Sequence, residues 1–492
     1  MKLAELLLGI EYTATGDLSG EITDVVYDTR KEMKADTVFV CIAGFSFDGH
    51  EYATEAYARG VRIFAAEKPL ELPEDAVVLY TASTRKFLAL ASANLFGRPA
   101  EKLFTVAVTG TKGKTSTSFI LKSMLDAAGI PAGVIGSTGV YYKDRYEETA
   151  NTTPESYLLH KLYRQMLDAG CKAVIIEAAS QGFKLDRTYG IRFDVGIFSN
   201  ISPDHIGKNE HADFAEYMAC KKQIFDQCKV CYVNEDDEHY EEIVAGAACP
   251  VKTYSLEKDA FFTARDAKFE LQDHRMKTTF TAKCGEMAFC VDLGIPGAFS
   301  LYNALGAIAV AYDLGVSVEA MQKGLRDVRV RGRMEIVPGN APYTVMIDAA
   351  HEEFSCRSLL ATVKKYAPKR IIAVFGCGGN RSRLRRYGMG AAMGEHADHS
   401  IITSDNSRLE RTEDIIDDIL VGMKPTGGSY EIIIDRKEAI EKALRMATEG
   451  DCILLIGKGH ETYEDIGGVK RPFDEKQIVM DYFAEEGMLP ND

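Results

Sequence analysis

Hydrophobic residues along this chain fall into two rhythms that exchange repeatedly. Short apolar runs alternate with stretches in which apolar side chains recur at three- and four-residue spacing, the signatures of buried strands and amphipathic helices. The run from Leu103 to Val108 reads as a strand. Phe119, Ile120, Met124 and Leu125 give the helical period of a segment from Ser116 to Ala128, which Gly129 stops. Ala173 to Glu177, Val195 to Ser199 and Cys231 to Asn234 repeat the strand signal. This alternation predicts a mostly parallel sheet covered by helices on both faces. A second series begins near Gly332-Arg333, with strands at Thr344 to Ile347, Ile371 to Phe375, Ser400 to Thr403, Tyr430 to Ile434 and Cys452 to Ile456, and predicts a second doubly wound sheet. Before both, strands at Thr37 to Ile42 and Val77 to Tyr80 mix with a helix at Tyr52 to Arg59, and the pattern stops at Gly97-Arg98-Pro99. The expected fold class is therefore α/β with three domains, 1-98, 99-331 and 332-492.

Length supports that division, because 492 residues exceed what one core organises. At 46% hydrophobic and 27% charged the composition is that of a soluble globular protein. A net charge of -15 argues against nucleic acid, whose binders need basic patches, so any anionic substrate must be held by local cations and amides. No apolar run approaches the roughly 20 residues of a membrane span. Leu6-Leu7-Leu8-Gly9-Ile10 follows Glu5 and suits an amphipathic helix better than a secretion signal, so a cytoplasmic location is expected. Eleven scattered cysteines fit a reduced compartment. Cys228 and Cys231 form a CxxC without two further ligands nearby, and free thiols on a strand are expected there.

The most informative stretch is Val106 to Ser116, Val-Ala-Val-Thr-Gly-Thr-Lys-Gly-Lys-Thr-Ser, where a buried strand leads through a glycine-rich loop into a helix. Amides of Gly110, Thr111, Lys112 and Gly113 and the helix N-terminus would converge on phosphate oxygens. Lys114 is placed to neutralise the β and γ phosphates of a nucleoside triphosphate. The Thr115 hydroxyl, beside Ser116, is placed to bind the Mg²⁺ that bridges them. The usual spacing would put a glycine at Val108, and Gly110 comes two residues late. A strand-to-helix turn that merely uses glycines is the alternative. Polar residues then gather at the carboxyl ends of later strands, where open α/β sheets bind ligands. Glu177 and Asp204-His205 suit a second Mg²⁺. Each also has a plain role, Glu177 as a turn cap and His205 as a loop histidine. Phe375-Gly376-Cys377-Gly378-Gly379-Asn380 resembles a dinucleotide fingerprint, but Arg381 replaces its third glycine, so a tight turn is expected rather than an NAD site.

Read in order, Thr109 to Thr115, Asn151-Thr152-Thr153-Pro154, Glu177 with Ser180, Asn200-Ile201-Ser202-Pro203-Asp204-His205, Tyr217 with Lys221, Gly332-Arg333-Met334-Glu335, Asp405-Asn406-Ser407-Arg408 and Gly457-Lys458-Gly459-His460-Glu461 resemble the motif series of the Mur ligases. Asp28-Thr29-Arg30 and Asp48-Gly49-His50 carry the resemblance to the N-terminus, so it covers nearly the whole chain. It implies an N-terminal UDP-binding α/β domain, a central P-loop ATPase-like doubly wound domain and a C-terminal Rossmann-like domain that binds an amino acid. It also implies an ATP- and Mg²⁺-dependent amide ligase of peptidoglycan precursor synthesis, adding a diamino acid to UDP-N-acetylmuramoyl-L-alanyl-D-glutamate. In such enzymes ATP phosphorylates the substrate carboxylate, an amine attacks the acyl phosphate, and an amide, ADP and phosphate result.

By the same resemblance Lys114 holds the phosphates, Thr115 one Mg²⁺, and Glu177 and His205 the second. Lys221 matches a lysine that is carbamylated in the family, which turns a cation into an anion able to ligate metal. Without the resemblance Lys221 reads as a solvated helix lysine next to Lys222. Asn303, Arg333, Asp348 and His351 complete the implied nucleotide site. Thr29, Asn151, Thr152, Thr153, Ser180 and Arg187 fall where the UDP-muramoyl dipeptide is held. An N-cap before Pro154 and a surface arginine are the structural alternatives. Arg381, Asp405, Asn406, Ser407, Arg408, Gly457 and Glu461 fall where the diamino acid is held. A monomer with no nucleic acid or membrane partner is expected.

Two departures bear on the substrate. The meso-diaminopimelate branch usually reads Asp-Asn-Pro-Arg. Ser407 replaces that proline but Arg408 remains, and an arginine for the far carboxylate favours meso-2,6-diaminopimelate over L-lysine. Lys112, Gln181, Ser202 to Gly207 and Glu210-His211 look more like the lysine-adding branch, but they face nucleotide and metal rather than the incoming amine. The family's Asp-Tyr-Ala-His reads Asp348-Ala349-Ala350-His351, followed by Glu352 and Glu353, so an aromatic near the nucleotide is missing and two acids have arrived. Ala178 and Ala179 also replace residues that are commonly Val and Ser. The alternatives are the lysine-adding enzyme, a paralogous amide ligase or a non-catalytic nucleotide-binding paralogue. A folylpolyglutamate synthase is disfavoured, because folate ligases lack the N-terminal domain.

Overall fold

A computed structural model of the chain describes residues 1–490 apart from 45–46, 205, 208–209 and 273–274. The backbone forms two compact units, Met1–Thr263 with Tyr302–Gly324, and Ala264–Leu301 with Leu325–Asp492.

The first unit holds two sheets. The N-terminal one comprises β1 (Thr13–Thr15), β2 (Asp24–Val26), β3 (Thr37–Val40), β4 (Ile63–Ala66) and β5 (Val77–Tyr80), in the order β1-β5-β4-β3-β2. Only β1 runs antiparallel to its neighbour. β3 and β4 are buried throughout, as their continuous apolar sequence requires. The helix Thr84–Leu95 starts at Ser83, whose hydroxyl accepts from the Lys86 amide, and lays Phe87, Leu88 and Ala91 on this sheet.

The larger sheet contains β6 (Phe104–Thr109), β7 (Ala132–Gly136), β8 (Gly139–Tyr142), β9 (Arg145–Glu147), β10 (Ala173–Glu177), β11 (Val195–Phe198), β12 (Cys231–Asn234) and β13 (Val251–Ser255). Their order is β13-β12-β11-β6-β10-β7-β8-β9. Winding reverses beside β6, which pairs in parallel with β10 on one side and β11 on the other. The crevice beyond the carboxyl end of β6 is therefore where a ligand belongs. Two-sided burial explains why β6, β10 and β11 read as unbroken apolar runs.

One core residue carries a pH-dependent cost. His160, on the helix Ser156–Asp168, is 2% exposed, and neither ring nitrogen has a hydrogen-bond partner among the described residues. Burial, followed by the Arg98 charge, pushes its pKa down to about 4 from 6.5. As pH falls below about 6.5 the unfolded chain takes up a proton that the folded chain refuses, so stability is full above that pH and declines toward pH 4. The shift corresponds to roughly 3 kcal/mol. His160→Phe is expected to flatten this decline, measured as the thermal midpoint between pH 7.5 and 4.5; an equally steep decline in the variant would assign it to other groups.

The second unit begins within β14 (Phe262–Gln272) and continues through β15 (Arg275–Cys284) and β16 (Met287–Leu293). Its main sheet holds β17 (Glu335–Ile336), β18 (Thr344–Asp348), β19 (Ile371–Phe375), β20 (His399–Ile402), β21 (Tyr430–Ile432) and β22 (Cys452–Ile456), in the order β17-β18-β22-β19-β20-β21. All pairs are parallel except β17 with β18. Leu360, Met389, Met393 and Ile419 pack on one face and Ile440, Leu444, Val479 and Phe483 on the other. A separate hairpin joins β23 (Tyr463–Ile466) to β24 (Val469–Pro472).

The doubly wound sheets match expectation, while the antiparallel strands β8, β9, β15 and β16 were not anticipated. β16 alternates exposed and buried residues, a half-covered strand whose polar face breaks the apolar run.

Candidate functional site

In the first unit the loop after β6 is built around two glycines. Gly110 and Gly113 have φ of +142° and +86°, and a Cβ on either would collide, at Gly110 with Ser199 and the Asn200 backbone and at Gly113 with the Asn303 side chain. The loop is tied down by the segment after β11. The Thr111 amide donates to the Asn200 carbonyl at 2.9 Å, and the Asn200 side chain accepts from the Lys112 amide and donates to its carbonyl. Ser199 Oγ donates to the Lys112 carbonyl at 2.8 Å. The helix Lys114–Ala127 then starts without a side-chain cap, which leaves its first amides directed at the loop.

Two lysines converge here. Lys114 Nζ donates to the carbonyls of Gly110 (2.8 Å) and Thr111 (3.0 Å), and Lys221 Nζ donates to the same Gly110 carbonyl at 2.8 Å. Lys221 is 1% exposed, not solvated, and stands over the Tyr217 ring at 4.7 Å. Burial first and the Lys114 charge second hold its pKa well below the usual lysine range. Lys222 instead donates to the carbonyls of Glu242 and Ala245, so the two neighbours have separate jobs.

Glu177 ends β10 at 1% exposure. Its Oε1 accepts from the Ser137 amide at 3.1 Å, and Ser137 Oγ lies 3.2 Å from Thr115 Oγ1. Gly136 leaves the room this carboxylate fills. Thr115 and Glu177 thus offer hard oxygen donors of the kind Mg²⁺ takes, whereas an ammonium at Lys221 does not fit that ion and a carbamate there would. His205 lies outside the described residues, and among those described no group of three His, Cys, Asp or Glu side chains is arranged for a metal. All eleven cysteines are free thiols, Cys228 and Cys231 included.

The segment after the loop helix forms a second cluster. Thr153 Oγ1 donates to the Glu177 carbonyl and accepts from the Ala179 amide, and Arg187 donates to the Thr153 carbonyl at 2.9 Å while pairing with Glu155. Arg187 is thus no free surface arginine. Tyr27 lies near enough to Glu155 and Arg187 to feel their charges, and its phenol, pushed up to about 12 mainly by burial, brings the turn carrying Thr29 to this neighbourhood. Ser180 Oγ lies 2.9 Å from His211 Nε2. Asn151 is exposed, Thr152 half-buried, and Ser116 sits in the first turn of the loop helix. Asn303 Oδ1 accepts from Thr117 Oγ1 at 3.3 Å, and Lys112 lies 3.4 Å from Asp204.

In the second unit a 180 Å³ cavity opens beyond the carboxyl ends of β19, β20 and β22. It brings together Arg381, Asp405, Asn406, Arg408, Gly457 and Glu461 of the predicted set, with His351. Gly457 has φ +118°, and a Cβ there would stand 2.6 Å from Asp405 Oδ2. Asn406 Nδ2 donates to Glu461 at 2.6 Å, and its Oδ1 accepts from Lys458 Nζ and the Asp465 amide. Burial, with Asp405 next, raises the Glu461 pKa; burial, with Arg408 and Arg385 next, lowers that of Arg381. Asp405 and Glu461 feel one another's charge, as Arg381 feels Arg408 and Arg385, and one cavity is lined by both sets, a mixed charge that suits a zwitterion. Arg408 sits at φ +52° and donates Nη1 to the Gly379 carbonyl at 2.6 Å. Its amide donates to the Asp465 carbonyl, and the Gly467 amide donates to its own carbonyl, so the β23–β24 hairpin fixes its backbone. Ser407 is buried, its carbonyl against Gly379 and accepting from the Glu410 amide. The glycine run after β19 is accordingly a tight turn walling this cavity.

Nearby, Asp348 accepts from the amides of Met334 and Ala350; burial raises its pKa and the Arg333 charge opposes the rise. Ala349 packs its methyl against the Gly459 backbone, and His351 Nδ1 lies 2.8 Å from the Ala349 carbonyl. The two acids after His351 have a structural account. Glu352 is the N-cap of the helix Glu353–Lys364 and Glu353 its first residue, held 2.9 Å from Arg357, where negative charge favours the helix dipole.

Sequence reasoning missed four contributors. Arg385, in the first turn of the helix Arg383–His396, lines the cavity with Arg381, which precedes that helix. Arg386, 1% exposed, pairs with Glu410 and Asp418 and donates to the Gly378 carbonyl. Arg436 donates to the carbonyls of Ser404 and Ile456 and pairs with Glu475, so one buried guanidinium ties the loops after β20 and β22 together. Ser137 links Thr115 to Glu177.

This layout recurs in known proteins. The Mur ligase family catalytic domain matches residues 21–101, the Mur ligase middle domain 108–311, and the Mur ligase glutamate ligase domain 332–459. A UDP-N-acetylmuramoyl-L-alanyl-D-glutamate--2,6-diaminopimelate ligase of Clostridium perfringens is 39% identical over 98% of this chain and 99% of its own. A solved structure of an enzyme of that name superposes with a TM-score of 0.72 at 26% identity, covering 99% of both chains. The MurF ligase of Thermotoga maritima in complex with ADP shares the fold, with a TM-score of 0.60 at 17% identity over 94% of this chain and 97% of that one. With three domain models matched in series and a full-length relative well above chance identity, the chain belongs to the Mur ligase family and is a ligase.

Proposed function

We propose that the chain is an ATP-dependent ligase that joins meso-2,6-diaminopimelate to UDP-N-acetylmuramoyl-L-alanyl-D-glutamate through an acyl phosphate. The observation that carries the choice of amine is the mixed charge of the 180 Å³ cavity, lined by Arg381, Arg385 and Arg408 as well as by Asp405 and Glu461. A far end bearing both ammonium and carboxylate satisfies both groups, whereas lysine leaves the guanidiniums without an anion. The name of the Clostridium perfringens relative supports the same substrate pair.

In this reading the loop amides and Lys114 hold the ATP phosphates, and Asn303, Arg333, Asp348 and His351 are the further residues that the family resemblance assigns to the nucleotide. Thr115, Glu177, a carbamylated Lys221 and His205 would hold Mg²⁺, which supplies charge neutralisation between the converging anions. The burial and depressed pKa of Lys221 support carbamylation, because only the neutral amine reacts with carbon dioxide. Thr29, Asn151, Thr152, Thr153, Ser180 and Arg187 would seat the UDP-muramoyl dipeptide, with Arg187 held by Glu155 at the carboxylate end. Asp405, Asn406 and Glu461 orient the amine, and Ser407 shapes the turn that presents Arg408. The three-way division at 98 and 331 remains our reading of the domains, with a monomer in the cytoplasm as the working form.

The test supplies ATP, Mg²⁺, the muramoyl dipeptide and either amine, and follows phosphate release. Diaminopimelate is expected to outpace lysine at least about a hundredfold in kcat/KM, and Arg408→Ala to raise KM for diaminopimelate about a hundredfold, the worth of a charge-assisted pair, with KM for ATP unchanged. Faster turnover with lysine would replace the proposal by the lysine-adding reading, and ATP binding with no turnover would replace it by a non-catalytic one.

A further inference from the structure

A larger cavity of 610 Å³ lies in the second unit at the amino end of β18, the end opposite Asp348. Its volume is in the range of small-molecule sites. Apolar side chains line it, Met276, Leu293, Val337, Tyr343 and Phe483, each no more than 5% exposed. The charged groups that line it are Lys277, Arg326, Arg329 and Asp292, and Arg326 pairs with Asp327 beside it at 3.4 Å. Lys277 lies 3.9 Å from Asp292. Arg329 spends Nη1 on the carbonyls of Arg326 and Val328 and makes no ion pair among the described residues.

A ligand for this cavity needs an apolar body and an anionic head for the cations. A phosphate ester on a ring-bearing body meets both. We propose that this cavity is a binding site for an organic phosphate with a ring-bearing body, separate from the nucleotide loop and the diamino-acid cavity. Its position gives it a route to the chemistry. Ile336 and Thr344 line it, and the β17–β18 pair that carries them ends at Asp348, whose carboxylate accepts from the Met334 amide at 2.8 Å. A ligand bracing 336–344 restrains the same strand pair that presents Arg333 and Asp348.

The probe is 1-naphthyl phosphate, titrated by fluorescence against the full chain, with amide hydrogen exchange as a second readout. Saturable binding is expected, with slowed exchange in 336–348. Arg329→Glu is expected to weaken it about tenfold and Asp292→Asn, which releases Lys277, to tighten it severalfold. Both positions are exposed, so folding is spared. Lys114→Ala is expected to leave it unchanged, which separates this cavity from the nucleotide loop. Inorganic phosphate is expected to compete poorly, because it covers none of the apolar lining. No saturable binding below about 1 mM, affinity that either charge variant leaves unmoved, loss of binding in Lys114→Ala, or competition by inorganic phosphate at equal concentration would each overturn the proposal.

Discussion

Lys114→Ala is expected to lower kcat by about a hundred- to a thousandfold, the usual effect of removing one preorganised cation or donor from a site of developing charge. The side chain donates to the carbonyls of Gly110 and Thr111, and the loop is also held by Asn200 and Ser199, which the substitution leaves in place. The thermal midpoint should therefore stay close to the parent's. Phosphate release in the complete reaction measures the effect, and activity within about tenfold of the parent would remove Lys114 from the phosphate-holding role. The same substitution removes the nearest cation acting on Lys221, whose amine should then bind a proton more readily. A carbamate at Lys221, read as added mass on the intact chain in bicarbonate, should become less abundant in the variant.

Arg436→Leu carries the largest expected cost to the fold. Arg436 and Glu475 are 1% and 2% exposed and 2.8 Å apart, and removing one member strands the other charge in the interior, at about 3–5 kcal/mol. The double variant Arg436→Leu with Glu475→Leu should recover most of that loss, since no buried charge then stands alone. Thermal unfolding of all three proteins tests this; a double variant no more stable than the single would mean the carbonyl bonds, not the ion pair, dominate. Those bonds make a second expectation. With Ser404 and Ile456 untied, KM for diaminopimelate should rise in the double variant while KM for ATP holds, because Asp405 and Gly457 are the next residues along each loop.

What the sequence disclosed and what it hid divide along physical lines. Strands buried on both faces, such as β6, β10, β19 and β22, announce themselves as unbroken apolar runs. The phosphate-loop residues are legible because backbone geometry dictates glycine and chemistry dictates lysine and threonine at neighbouring positions. Arg381, Asp405, Asn406, Arg408, Gly457 and Glu461 were grouped by resemblance, and one cavity holds them. Arg386 and Arg436 were invisible because a buried arginine differs from a surface one only in partners brought from far along the chain, Glu410 and Asp418 or Glu475. Lys221 was misjudged by pattern for the same reason, since its burial depends on Gly110 and Tyr217. Glu352 and Glu353 looked like an intrusion into a nucleotide motif and are the start of a helix.

The opposed charges of the small cavity have a stereochemical consequence. Under the proposed function, a carbon carrying both ammonium and carboxylate and tethered through its side chain meets Glu461 and Asp405 with one group and Arg408 with the other. Its mirror image keeps both pairings only by turning the carbon and its hydrogen the other way within the 180 Å³ cavity. Diaminopimelate inverted at its far carbon is therefore expected to bind more weakly.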